Sequence, residues 1–449
     1  MGFARHLRRI AWGAGALALA LAPVAAKADP VPSGGMGKHV KVIGFSGRGG
    51  HFGGFKIAIK HTANDKWYLY SGQSFDQGWS IVDVTDPTKP RYVKFIPLKT
   101  DDKGIVTQQV TLHGNLMITS LGSFSPEKNP LPAVLLWDIS DPENPKQVGS
   151  WQGGERGAHR NSYPGGKYAF LSTSYPGFKA NILVILDVSD PAHPKEIGKW
   201  WQPGQKDGEP KAEYPEGLHG PANLSPDGKM LSIGYTPDVV NLDVSDPTRP
   251  KLIGRLHMTV PFANVGIQSM HTVLPLWDRK LLYVSSEAQK PECKDDGMDF
   301  AAMVDNSDPA KPRLISIFPT PRPPKGLPYT DFCDKGGRFG PHNTSQEIHN
   351  PAIQHPGNIM EVAWFNAGLR VFDISDPRLP TEIGYFIPPE RPNLPGGQSG
   401  PHASPINWSE EIAVDARGNI FMNDDKWGLW IMRYTGKQPA RAPAKPAGK

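Results

Sequence analysis

A chain of 449 residues has room for two or three ordinary domains or for one large repeat architecture. Its 48 glycines and 47 prolines make dense punctuation, while 38% hydrophobic residues supply a core, and two cysteines exclude a disulfide-stapled miniprotein or a Cys-rich metal module. The net charge of +5 sits at the ends, +4 in residues 1–28 and +4 in the last thirteen, so the body is slightly acidic and offers no basic surface for nucleic acid.

Residues 1–28 read as a signal peptide. Arg5, Arg8 and Arg9 precede the apolar run from Gly13 to Ala26, and Ala26-Lys27-Ala28 gives a small-x-small cleavage pattern. The run is too short for a spanning helix, and no later segment approaches a transmembrane length. No cysteine follows the cut, so a lipid anchor there is not expected. Arg8-Arg9 and Lys27 also occur in signals for folded export. The flanking residues match that pattern poorly and favour general secretion. A periplasmic or secreted protein is expected.

From residue 39 onward the chain repeats itself. The string Asp-x-Ser/Thr-Asp-Pro-x-x-Pro occurs six times, beginning at Asp83, Asp138, Asp187, Asp243, Asp305 and Asp373. Each copy follows a β-type run, and most precede a short strand with Ile-Gly or Val-Gly, as in Lys195-Glu-Ile-Gly198. Aspartate can accept hydrogen bonds from backbone N–H groups just ahead, and proline presets φ for the turn, so the motif reads as turn chemistry rather than a calcium site. Upstream of each copy lie two further runs, such as His219–Leu224 and Lys229–Tyr235, or His349–Gln354 and Ile359–Phe365. Each unit therefore reads as strands A, B, C and D. After the sixth copy, Glu411–Asp415, Ile420–Asn423 and Leu429–Tyr434 give A, B and C of a seventh unit without a D strand. Lys41-Val-Ile-Gly44 matches the D pattern and has no partners before it. The expected fold is all-β: a seven-bladed β-propeller over residues 39–434, closed by an N-terminal strand completing the last blade. Residues 436–449 read as a disordered basic Pro/Ala tail.

Leu183-Val-Ile-Leu-Asp-Val-Ser-Asp-Pro191 resembles the signature of the LVIVD-repeat proteins, and the resemblance extends over nearly all of 39–434. It implies an exported bacterial or archaeal β-propeller and no particular activity.

Propeller topology puts the stereotyped A–B and C–D turns on one face and the long, irregular connections on the other, where binding residues concentrate. Cys293 and Cys333 both fall on the loop-rich face and are expected to pair in an oxidising compartment. His159, His219, His271 and His349 stand at or near the start of the innermost strands of four consecutive units. There they would converge near the axis as metal ligands. Glu155, Glu216 and Glu347 lie just upstream as residues to orient them, and His51, His342 and His402 share the face as accessories. The ion would be Fe, Cu or Zn. By fold-level analogy, carotenoid-cleaving dioxygenases and thiol oxidases of the selenium-binding-protein type hold a metal with histidines on inner strands, although their signature motifs do not occur here. The glycine-rich Gly47–Gly54 follows no βαβ pattern, and no Gly-x-Ser-x-Gly elbow appears. Two functions remain open. One is a metal-dependent oxidoreductase on a small organic substrate; the other is a non-catalytic propeller binding a protein or glycan at the cell envelope.

Overall fold

The computed structural model describes residues 28–123, 132–211, 217–259, 262, 269–394 and 404–439. Residues 1–27 of the expected export signal, Glu216, His402 and residues 440–449 lie outside them.

The chain is all-β and propeller-like, built from antiparallel sheets whose strands follow chain order. In the third unit Ala158–Ser162, Tyr168–Ser174, Asn181–Asp187 and Lys195–Trp200 pair in that sequence. In the fifth, Thr272–Leu276, Leu281–Ser285, Ala301–Asp305 and Arg313–Ile317 do the same. The third strand of a unit is covered on both faces, and in the third unit it is a continuous apolar run. Ile182 to Leu186 are all fully buried. Units one and two merge into a single sheet through a bridge between Gln73 and Thr107.

The core lies between neighbouring sheets rather than at one centre. Phe170, Leu183 and Ile185 of the third unit pack with Leu231, Ile233 and Val240 of the fourth. Ile57 and Leu69 of the first pack with Phe421 and Ile431, which belong to the last.

The repeated motif folds as two successive Asx turns. Asp187 Oδ1 accepts from Ser189 N at 2.8 Å and Asp190 Oδ1 from Ala192 N at 3.1 Å. The other five copies repeat both bonds, for example Asp243 with Ser245 and Asp246 with Thr248. These aspartates are consumed by backbone donors, as a turn role requires. The following glycine has an equally local cause. A Cβ on Gly149, Gly198 or Gly254 would overlap the backbone of Pro191, Pro247 or Ala310, each in the next unit's turn. The fourth strand of one unit thus lies against the Asp-Pro turn of its neighbour, and only glycine allows the approach.

Val40–Ser46 pairs antiparallel with Gly428–Tyr434 and becomes the fourth strand of the last sheet. Just before it, Met36–Lys38 pairs with Thr381–Ile387 of the sixth unit, a strand the sequence reading did not anticipate. The sixth unit differs in a second way. The segment expected as its inner strand, His349–Gln354, is not a strand but a set of turns. The inner position is taken instead by residues 342–344, where His342 N donates to Ala363 O and Ala363 N to Asn343 O. The assignment therefore started seven residues too late. The intervening residues cross the central channel, with Glu347 accepting from Thr111 Oγ1 of the second unit at 2.6 Å and Asn350 Nδ2 donating to Ile59 O of the first at 2.7 Å.

Candidate metal centre

Each histidine near the axis is placed by an irregularity in its inner strand. The register of Ala158–Ser162 skips between Ala158 and Arg160, so His159 is the bulged residue and its side chain is re-aimed into the channel. The inner strand of the fourth unit is split into Gly217–Leu218 and Asn223–Leu224. The break contains Gly220 at φ 89° and Pro221, which has no N–H to give the ladder. His219 stands at the break, its N–H bound to Gly234 O. His271 N donates to Ser285 O just before its strand begins, and His342 N to Ala363 O. His219, His271 and His342 therefore occupy equivalent points, each anchored to the second strand of its own unit.

The result is a ring of imidazoles. Centroids of His159 and His219 are 4.4 Å apart, of His219 and His271 4.1 Å, and of His271 and His342 4.8 Å. The Nδ1 atoms of His219, His271 and His342 face oxygen atoms. His219 Nδ1 donates to His271 O at 3.0 Å and His342 Nδ1 to Glu410 O at 2.7 Å, while His271 Nδ1 pairs with Thr272 Oγ1 at 2.8 Å. A proton fixed on Nδ1 leaves the Nε2 lone pair pointing inward, the arrangement by which outer partners orient metal-binding histidines. His159 Nε2 and His219 Nε2 lie 2.9 Å apart.

Glu287 completes the set. It follows the second strand of the fifth unit by two residues, and its carboxylate lies 3.4 Å from His271 Nε2, 3.7 Å from His342 Nε2 and 4.0 Å from His219 Nε2. Two ligand atoms sharing a metal at about 2.1 Å each stand no more than about 4.2 Å apart. These four separations meet that limit, and the ligand atoms of His219, His271 and Glu287, which all lie within 4.8 Å of one another, form a group that could hold a metal ion. Arg338 keeps Glu287 in place with Nη1 at 3.2 Å. Its guanidinium in turn lies 4.8 Å from the centre of the Phe365 ring and 4.6 Å from that of Trp408.

Electrostatics keep the imidazoles neutral, as ligation requires. Burial, reinforced by Arg160 and His342, pushes His159 down to about 3; burial also brings His342 to about 3 against the opposing pull of Glu287. His219 and His271 are lowered well below the ordinary value by burial, Arg160 and their histidine neighbours. One contact opposes a cation: Arg160 Nη2 donates to His271 Nε2 at 2.6 Å.

The ring borders a cavity of about 670 Å³ that is also lined by Phe55, Gln109 and Glu410. Such a volume suits a small organic molecule.

The other expected residues fall elsewhere. His349 is not in the ring; its titratable neighbours are His113 and His355. Glu347 lies deeper in the channel, 3.9 Å from Lys56 Nζ. Glu155 is exposed on a turn. His51 pairs with Asp76 at 3.2 Å and stacks on Phe95. His342, expected as an accessory, stands in the ring in the position assigned to His349.

Segments 166–200 and 356–387 match the LVIVD repeat model. The chain carries LVIVD repeats. Each match spans the outer three strands of a unit, the third and the sixth, and ends before or begins after the inner segment that bears the histidines. The repeat signature therefore encodes the scaffold and is silent about the ring. No curated protein matches this LVIVD-repeat chain. Among solved structures it is similar to a functionally unknown protein of Desulfotomaculum acetoxidans (13% identity, 74% of this chain and 85% of that one, TM-score 0.48). It is similar also to a protein of Lactobacillus plantarum (12%, 85% and 98%, TM-score 0.48) and to the periplasmic gluconolactonase of Pseudomonas aeruginosa (13%, 74% and 88%, TM-score 0.46).

Glu287 was legible in principle. The B–C loops lie on the same face as the inner-strand starts, so an acid directly after strand B of the fifth unit was as close a candidate as one before strand A. Cys293 and Cys333 form a disulfide with Cα atoms 5.2 Å apart. It bears on the site, because Cys293 N donates to Gly337 O at 3.1 Å, next to Arg338.

Proposed function

We propose that this protein is an exported, seven-bladed β-propeller, closed by its N-terminal strand, that holds a transition-metal ion and acts on a small organic substrate. The closure rests on the pairing of Val40–Ser46 with Gly428–Tyr434 and on the apolar layer shared by the first and last units. Residues 1–28 would serve as the leader and 436–449 as a basic tail. The disulfide fits an oxidising compartment, and no helix among the described residues is long and apolar enough to cross a membrane.

The observation that carries the metal reading is the convergence of Nε2 atoms on Glu287 while Nδ1 atoms are held by oxygen atoms. His159, His219, His271, His342 and Glu287 would hold the ion, with Fe, Cu and Zn the metals that suit imidazole-rich sites. Such an ion supplies Lewis acidity or a site for activating a small molecule. The protein's own part is to fix the ligands. Arg338 clamps the carboxylate, Glu410 and Thr272 hold two rings, and Phe55 and Trp408 line the cavity. A docking site for a protein or glycan needs accessible side chains, whereas His219, His271 and His342 are buried, which favours a small molecule. Cobalt(II) titration followed by visible absorption tests the ligand set. Wild-type protein should develop ligand-field bands at one equivalent, and His271→Ala should lose them while keeping its fold.

A further inference from the structure

Among the described residues, Arg160 is the cation that hydrogen-bonds an imidazole of the ring. Its side chain is buried, with 2% of the residue exposed. Nη2 contacts His271 Nε2 at 2.6 Å and Asn343 Oδ1 at 3.3 Å, and Nη1 donates to Gln346 Oε1 at 3.1 Å. Nε, however, has no hydrogen-bond partner among the described residues. Deeper in the channel stands Glu411, whose Oε1 meets Lys56 Nζ at 3.3 Å and whose Oε2 likewise has no partner among the described residues. A buried donor and a buried acceptor left unmatched are each costly to keep from water. They belong to groups that already act on one another: burial pushes the Glu411 carboxyl up and the Arg160 guanidinium down, and each group opposes the shift of the other.

We propose that Arg160 is a resident counter-cation of the histidine ring: it competes with a metal ion for His271 Nε2 and yields by withdrawing to Glu411. This rests on the metal reading of the ring. His271 Nε2 has one lone pair, so it accepts either the guanidinium proton or a metal, never both. A divalent ion at the ring also repels a guanidinium at contact distance, which drives the side chain off. Glu411 then receives a charge-assisted bond on the oxygen that lacks one. The arrangement makes the ring selective by charge and donor strength. A hard, weakly ligated cation gains too little from imidazole to displace Arg160, whereas an imidazole-preferring transition metal gains enough.

The test is zinc(II) affinity, measured with a chromophoric competitor on full-length protein, for wild type, Arg160→Met, Glu411→Gln and His219→Ala. Removing the competitor should tighten binding at least tenfold in Arg160→Met. Glu411→Gln, which leaves Arg160 without its alternative partner, should weaken binding at least tenfold. Arg160→Lys, a shorter cation without the planar fork, should fall between wild type and Arg160→Met and keeps the test usable if the methionine variant does not fold. Equal affinity in wild type, Arg160→Met and Arg160→Lys, with binding lost in His219→Ala, would overturn the role of Arg160 and leave the metal site standing. No zinc binding by any of them would overturn both.

Discussion

Gly44 of the N-terminal strand lies against the carbonyl of Pro87, in the Asp-Pro turn of the first unit, so closely that a Cβ on Gly44 would overlap that oxygen. The same relation joins Gly149 to Pro191 and Gly198 to Pro247, between units adjacent in the chain. Gly44 is therefore to the first unit what Gly198 is to the fourth. Overpacking of this kind costs about 1–3 kcal/mol. Gly44→Ala and Gly198→Ala should lower stability to urea by similar amounts in that range. A destabilised Gly198→Ala beside an unaffected Gly44→Ala would show that the fold does not depend on its N-terminal strand.

The imidazoles predict how stability depends on pH. His159 and His342 are held near 3 in the folded chain against an ordinary value of 6.5. Below pH 6.5 the unfolded chain takes up protons that the folded one refuses, so stability falls as pH drops and goes on falling until about pH 3. The slope approaches about 1.4 kcal/mol per pH unit for each histidine. The urea midpoint should fall steadily from pH 7 to pH 4, and less steeply in His159→Gln. Equal slopes in the two proteins would place His159 in water rather than in a buried ring.

Repeat and fold were legible because their causes are local. An Asx turn needs only an aspartate and the N–H two residues on, as Asp187 and Ser189 show, so the sequence pattern is the mechanism. The ring was legible for His159, His219 and His271, which stand near the start of inner strands in units of ordinary spacing. It was misread in the sixth unit, where the chain crosses the channel after His342 and turns at His349–Gln354. Nothing in the spacing distinguishes a crossing segment from a strand, because the crossing is held by distant partners such as Thr111 and Ile59.

The disulfide supports the site from a distance. Closing a loop with 40-residue separation is worth about 4 kcal/mol in the chain-entropy model. It also fixes the segment leading to Arg338, the clamp on Glu287. Cys293→Ser/Cys333→Ser should lose several degrees of Tm and bind zinc several-fold more weakly. A loss of Tm with unchanged zinc affinity would confine the bond to a structural role.

Glu287 separates the metal reading from simple histidine packing. Glu287→Gln preserves shape and removes the only carboxylate in the group formed with His219 and His271. Zinc affinity should fall at least tenfold, while the metal-free protein keeps its fold because glutamine fills the same space and still accepts from Arg338. Unchanged affinity would exclude Glu287 as a ligand.

The most direct test of the whole account is elemental analysis of the purified protein, wild type beside His219→Ala. One equivalent of Fe, Cu or Zn in the wild type, absent from a folded His219→Ala protein, is the predicted result. Wild-type protein that carries no transition metal, and takes up none on anaerobic reconstitution, would contradict it.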